Sequence, residues 1–464
     1  MPPPVAASAP PWRAADPSVV RELDAPGLDL LALHRLAPTR YPFLLESVAH
    51  GTPQSRYDLL LARPGGALVR DAAGAVRGPH AGAGFLDGLD AWFAQERAAP
   101  RGALPFSGGW FIYLGYELAA EVEPCLRLAC DPRLPVATAV RVRAALVRDH
   151  ATGRSFAVAE PDAADALDEI THDIARIRSA PQPFLGALLR DGLQEEGEAR
   201  YLEVVERARR YIRDGDIFQA NLARRWTGRT AAGVDAATLY ARLRERNPAP
   251  FAGLAQLGSA TIVSSSPERL VEVRGDTVGS RPIAGTRRRD PDPVRDAALR
   301  AELIAHPKER AEHVMLLDLE RNDLSRICLP GSVEVSEMMA IESYATVHHI
   351  VSNVVGRQRP DATPGQVIAA VFPGGTITGC PKVRCMQIVA ELEGMPRGPY
   401  TGSMGYLDRS GDLDLNILIR TMLVIGDEVE FRAGAGIVAD SVPARELAET
   451  RHKARGLARA LVEP

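Results

Sequence analysis

Short apolar runs broken by glycine and proline set the first limit on the fold. Between residues 20 and 150, YDLLLARP, GALVR, WFIYLGYEL and ATAVRVRAALVRD are strand-length and bounded by turn residues. They predict an antiparallel sheet, with FLDGLDAWFAQ as a helix between its strands. Residues 162–179 carry a helical period, and YLEVVERARRYIRDGDIF predicts a further helix ending at Gly215. Strand-like runs follow in NLARRWTG, FAGLAQLG, TIVSSS and RLVEVRG. A helix from Lys308, the strand HHIVSNVVG, a helix from Thr363 and a final strand, turn and helix complete the order. Helices and strands do not alternate as βαβ units, so the class is α+β rather than a doubly wound parallel sheet. The stretch from Pro181 to Glu198, mixed Pro, Gly and acidic, reads as a linker. It divides the chain into an N-terminal region, 1–190, and a second region, 191–464.

Composition narrows the function classes. A net charge of -4 leaves no basic footprint for nucleic acid. No apolar run reaches the ~18 residues of a membrane span, and the Pro/Ala-rich N-terminus reads as a loose tip rather than a signal peptide. Five cysteines without paired C-x-x-C spacing argue against a disulfide framework or a structural zinc site. Together these point to a cytoplasmic protein in a reducing compartment.

Several stretches could carry chemistry. In KERAEHVMLLDLERND, Glu309, Glu312 and His313 share one side of a helix while Val314, Met315, Leu316, Leu317 and Leu319 are expected to pack the other. An amphipathic helix with a solvated charged face fits the same pattern. Of 55 basic residues, only Lys308, Lys382 and Lys453 are lysine, which suits sites that need a compact point charge. Near the C-terminus, Gly434-x-Gly436 reads as a glycine turn able to approach an anion, and Glu446, Glu449 and Lys453 fall on one face of the following helix. Two Glu-x-x-Glu helices could place carboxylates about one hard cation such as magnesium. PGGTITGCPKVRC reads as a helix start or a plain glycine-rich turn. Glu268, after Pro267 at a strand end, is a candidate general acid or a satisfied turn carboxylate.

Nine ordered segments then carry a resemblance: GDIFQANL, SSSPERL, RPIAGTRRR, KERAEHVMLLDLERNDLSR, YATVHHIVSNVVG, FPGGTITGCPKVRCMQIVAELE, YTGSMGYL, LNILIRTM and AGAGIVADSVPARELAETRHK. From about Asp214 to Lys453 the chain resembles the chorismate-utilising enzymes, the family of anthranilate synthase large subunit, aminodeoxychorismate synthase component I, isochorismate synthase and salicylate synthase. The resemblance implies an α+β fold in which two antiparallel sheets pack as a sandwich with flanking helices. It implies Mg2+ held chiefly by Glu312 and Glu449, with Glu309 and Glu446 supporting through water. Chorismate would meet the metal on one side and Arg420, Tyr400, Lys453 and the amides of Gly434, Ala435 and Gly436 on the other, with Ala284, Gly285 and Thr286 also lining it. Glu268 matches the acid that protonates the leaving C4 hydroxyl, assisted by His349 and Thr376. Gln219 stands where water-adding members have a lysine base, so ammonia is the expected nucleophile.

Within the family, Asn221 and the TITG and YTGSMGYL motifs resemble aminodeoxychorismate synthase. Ala284, where that enzyme often has a lysine thought to bond covalently to the substrate, and FLLES (Phe43–Ser47), an element that shapes a tryptophan pocket in some members, resemble the anthranilate enzyme. The balance favours 4-amino-4-deoxychorismate as product, with anthranilate plus pyruvate as the alternative. With no G-x-C-x-G elbow in the chain, ammonia is expected from a separate glutamine amidotransferase subunit. A silent tryptophan sensor using the FLLES pocket is a competing reading. A nicotinamide oxidoreductase built on Gly434 fails because no second parallel strand follows.

Overall fold

The computed structural model describes residues 20–49, 55–99, 104–177, 186–344 and 347–462. Strand Ala137–Asp149 is where its antiparallel sheet divides. One edge pairs along its whole length with Tyr57–Arg70; the other is shared by Gly109–Leu114 and Arg154–Ala159. From Tyr57–Arg70 one arm runs through Phe43–Glu46, Phe251–Leu257, Ala260–Ser266, Thr421–Ile425 and Glu428–Ile437 to Gln219–Arg229. From Gly109–Leu114 the second runs through Ser403–Asp408, Leu413–Asn416, Arg269–Arg274 and Thr277–Ser280 to Val347–Arg357. That last strand also carries Ile283–Arg288 and Glu334–Ser343.

Alternation along the strands makes the two arms a sandwich. Phe43, Leu59, Leu61, Phe111, Tyr113 and Met404 form the core between them, and the Phe43 and Phe111 rings stack at 3.9 Å. Intervening residues face outward under helices. Leu44 and Leu60 pack beneath Leu30–Leu36, Ala236–Arg246 and Pro443–Val462, while Trp110 and Ile112 pack beneath Phe85–Glu96 and Pro364–Val371. The expected sandwich of two antiparallel sheets with flanking helices is therefore the fold. Helices Glu198–Arg213 and Lys382–Glu393 close the far end of the first arm over Ala220, Leu222, Ala435 and Ile437.

Local readings differ in three places. YDLLLARP and GALVR are one strand, Tyr57–Arg70; the Pro-Gly-Gly between them is absorbed by a register shift at Pro64–Ala67, with Arg63 at φ 55°. Residues 181–185 of the expected linker, and the N-terminal tip, lie outside the described residues. The linker's remainder is tied to the sheet, Leu189 bridging Thr230 and Gln194–Glu195 pairing with Trp226–Thr227. Helix Pro307–Ser325 buries His313, Leu316, Leu317, Glu320, Asp323 and Leu324, whereas Val314 is 45% exposed. Its inner stripe therefore includes two acids that the apolar pattern did not mark. All five cysteines are unpaired.

Candidate active site

The chain crosses between the arms twice, side by side. Ala260–Ser266 leaves the first arm, turns at Pro267-Glu268, and enters the second as Arg269–Arg274. Leu413–Asn416 returns through Ile417–Arg420 to Thr421–Ile425. Because each strand of one crossing pairs with a strand of the other, the crossings are laced together. Ile417 N–H donates to the Glu268 carbonyl at 3.0 Å, Ser265 N–H to the Arg420 carbonyl at 3.0 Å, and the Ser266 hydroxyl to the Ile417 carbonyl at 2.5 Å. Glu268 and Arg420 are thus brought to one seam. Arg420 sits at φ 54°, a left-handed conformation costing about 1–2 kcal/mol for a residue with a Cβ.

Glu268 is 5% exposed. Burial pushes its carboxyl up to about 7; the Thr376 hydroxyl, the Ile283 N–H and the Arg420 guanidinium oppose the shift, and the Glu320 carboxyl adds to it. Oε1 of Glu268 and the Thr376 hydroxyl are both buried without a hydrogen bond of normal geometry. Both keep bonding capacity for a ligand. Such a carboxyl carries a proton for a substantial fraction of the time near neutrality, as a general acid must.

His349 and Thr286 face each other across paired strands, with Thr286 Oγ1 and His349 Nδ1 2.9 Å apart. Burial, then the nearby Arg420 charge, pulls the imidazole down to about 4, so it is neutral at pH 7. A register shift between Ala284 and Thr286 puts Gly285 at φ 78°, and a Cβ there would lie 2.9 Å from Glu309 Oε2. That bulge lets helix Pro307–Ser325 seat its first turn against the strand.

Gly434 and Gly436 lie within strand Glu428–Ile437, paired with Ala223 and Asn221, and not in the expected turn. The glycines make room for side chains above the strand. A Cβ on Gly434 would stand 2.7 Å from the Tyr400 hydroxyl and 3.1 Å from Asn221 Oδ1, and one on Gly436 2.7 Å from Gln219 Nε2. Gln219 Oε1 is buried without a partner. Asn221 donates to the Ile377 carbonyl at 3.0 Å and accepts through its own carbonyl from Arg397 at 2.7 Å. The Arg420 guanidinium makes no hydrogen bond or ion pair with any described residue; burial lowers its pKa while Tyr400, Glu268 and Glu449 raise it. A half-buried cation beside a phenol and an acid is an anion site.

The proposed metal ligands are dispersed over two helices. Glu309 pairs with Arg287 at 3.1 Å, Glu449 with Lys453 at 2.8 Å, Glu446 is buried and Glu312 half-buried. Among the described residues, no group of three or more His, Cys, Asp or Glu side chains is arranged to hold a metal ion. By donor type the four carboxylates fit a hard cation, which would displace the Arg287 and Lys453 pairings. His313 turns away from them, its Nε2 2.6 Å from the Ser352 hydroxyl.

Arg397 went unmarked in the sequence reading. Buried against Glu393 (Nε 2.9 Å, Nη2 2.7 Å) and under the Tyr116 and Tyr400 rings, it fixes the Tyr400 and Asn221 backbone. Its setting in PRGPY carries no local periodicity that would have revealed it.

At FLLES, a cavity of about 250 Å³ lies between the arms, lined by Glu46, Ser47, Arg269, Tyr406 and Asn416 among others. Glu46 accepts from the Tyr240 hydroxyl at 2.6 Å and Arg244 at 3.2 Å, and burial pushes it up to about 7. No helix among the described residues is long and apolar enough to cross a membrane.

Residues 77–459 match the family of chorismate binding enzymes. A Synechocystis protein named anthranilate synthase component I-like is 44% identical over 359 residues, covering 77% of this chain and 73% of that protein. Aminodeoxychorismate synthase component 1 of Bacillus subtilis is 38% identical over 389 residues, covering 81% and 82%. The crystal structure of anthranilate synthase component I from Streptococcus pneumoniae superposes with a TM-score of 0.76 at 30% identity, over 88% of this chain and 93% of that chain.

Proposed function

Since the chain belongs to the family of chorismate binding enzymes, we propose that it replaces the C4 hydroxyl of chorismate with an amine, forming 4-amino-4-deoxychorismate and water. The observation that carries this reading is the seam between the arms: a near-neutral buried acid, Glu268, whose Oε1 is free to engage a ligand, beside the unpaired Arg420 cation. Arg420 and Tyr400 bind a substrate carboxylate and orient the ring. Glu268 gives its proton to the departing C4 oxygen, which leaves as water, while Thr376 and neutral His349 hold the ring region in place. Gln219 offers no charged base to activate water, which leaves ammonia as the nucleophile. Methyl-bearing Ala284 cannot form a covalent amine adduct, so ammonia reacts without one.

Glu312 and Glu449, supported by Glu309 and Glu446, would hold Mg2+, which when bound neutralises charge on the substrate carboxylate. Ammonia is supplied by a separate glutamine amidotransferase.

A second reading, anthranilate plus pyruvate as products, is favoured by Ala284 and by the open cavity at FLLES, where tryptophan would bind. Purified protein incubated with chorismate, Mg2+ and ammonium, with the product identified by mass, tests both. 4-Amino-4-deoxychorismate supports the first and anthranilate the second. Chorismate left intact with and without Mg2+ overturns the activity.

A further inference from the structure

Helix Pro307–Ser325 carries a second buried carboxyl toward the seam. Glu320 is 4% exposed and accepts from the Ser280 hydroxyl at 2.6 Å. A Cβ on Gly375 would lie 3.2 Å from its Oε1, so it presses on the Gly375–Ile377 turn from the side of the helix. The next residue of that turn, Thr376, is directed at Glu268. One three-residue turn therefore separates two buried acids.

The surroundings of Glu320 are complete enough to weigh. Ser280 comes from the second arm, the Gly375 N–H from the turn, and Asp323 from the same helix face; Asp323 is ion-paired with Lys382 at the start of the Lys382–Glu393 helix. Lys382 is one of only three lysines in the chain. Burial pushes Glu320 up to about 7, Asp323 adds to the shift, and Ser280, Lys382 and the Gly375 N–H oppose it. A glutamine would fill the same space and keep the Ser280 bond at a lower desolvation cost. What it could not supply is a negative charge next to Glu268.

We propose that Glu320 is a positioning residue for the acid step, acting across the Gly375–Thr376 turn by charge to keep Glu268 in its proton-bearing form. Glu320 raises Glu268 through its charge, and by linkage Glu268 must make ionisation of Glu320 harder to the same degree. This rests on the reading in which Glu268 donates a proton to the substrate.

The experiment follows kcat/KM for chorismate loss against pH in the wild-type chain, Glu268→Gln and Glu320→Gln. Glu268→Gln should lose at least about 100-fold; a wild-type rate would remove the acid step and this proposal with it. Where that loss is seen, Glu320→Gln should move the alkaline fall in kcat/KM to lower pH by roughly half a unit or more. An unmoved midpoint in an active Glu320→Gln protein overturns the proposal and leaves the acid step standing. Should Glu320→Gln fail to fold, infrared titration of buried protonated carboxyls decides. Glu268→Gln should remove one band and move a second to lower pH than in wild type while that of buried Glu46 stays put, and the absence of a moved midpoint overturns the coupling.

Discussion

Gly434 and Gly436 sit two residues apart on one face of the same strand, yet replacing each with alanine should have different consequences. At Gly434 a Cβ would meet the Leu222 carbonyl oxygen at 2.6 Å as well as the Tyr400 hydroxyl at 2.7 Å. The first is backbone of the paired strand and cannot rotate away, so the strands must separate. Overpacking of this kind costs about 1–3 kcal/mol. Alanine's lower chain entropy in a strand returns about 0.5–1 kcal/mol, leaving a net loss of up to about 2.5 kcal/mol. At Gly436 the close atom is Gln219 Nε2 at 2.7 Å, with the rest of that side chain at 3.5 Å or beyond. A flexible amide can swing aside, so Gly436→Ala should stay within about 0.5 kcal/mol of wild type. Both changes displace a side chain of the candidate site. Gly434→Ala should lose about 10–100-fold in kcat/KM through Tyr400, and Gly436→Ala should lose activity through Gln219 with its stability intact. Urea unfolding gives the stabilities and chorismate consumption the rates. Equal stabilities for the two variants, or a wild-type rate for Gly434→Ala, would refute the argument that these glycines exist to clear space for Gln219, Asn221 and Tyr400.

Arg397→Met strands the Glu393 charge in the core, for a loss of about 3–5 kcal/mol. Adding Glu393→Gln to that background should restore part of the loss in urea unfolding, and no recovery would count against the pair as the cause. His313 is fully buried, and burial pulls it down to about 4 from an ordinary 6.5. Between those values the unfolded chain binds the extra proton and the folded chain does not, so stability rises with pH across the window and is lost as pH falls through it. His313→Gln should remove up to one proton's worth of that slope, about 1.4 kcal/mol per pH unit. Matching slopes in wild type and variant would show that another group is responsible.

Local periodicity was enough to read the α+β class, the helix bearing Glu309 and Glu312, and the strands Gly109–Leu114 and Ala137–Asp149. A 3.6-residue or two-residue repeat is imposed by backbone geometry within a few residues. Motif order was enough to recognise the family. What periodicity could not supply was the state of any group set by distant pairing. Gly434 to Gly436 read as a turn until the pairing with Gln219–Arg229 made it a strand, and YDLLLARP with GALVR read as two strands until the partner Ala137–Asp149 ran unbroken past both. Glu268 was visible as an acid at a strand end. Its elevated pKa exists only because two crossings, joined by pairing between residues 260–274 and 413–425, exclude water from it. Glu320 looked like one charge of an amphipathic helix; the partners that keep it buried come from residues 280 and 375. Desolvation depends on everything packed around an atom, and that packing is decided by contacts distant in sequence.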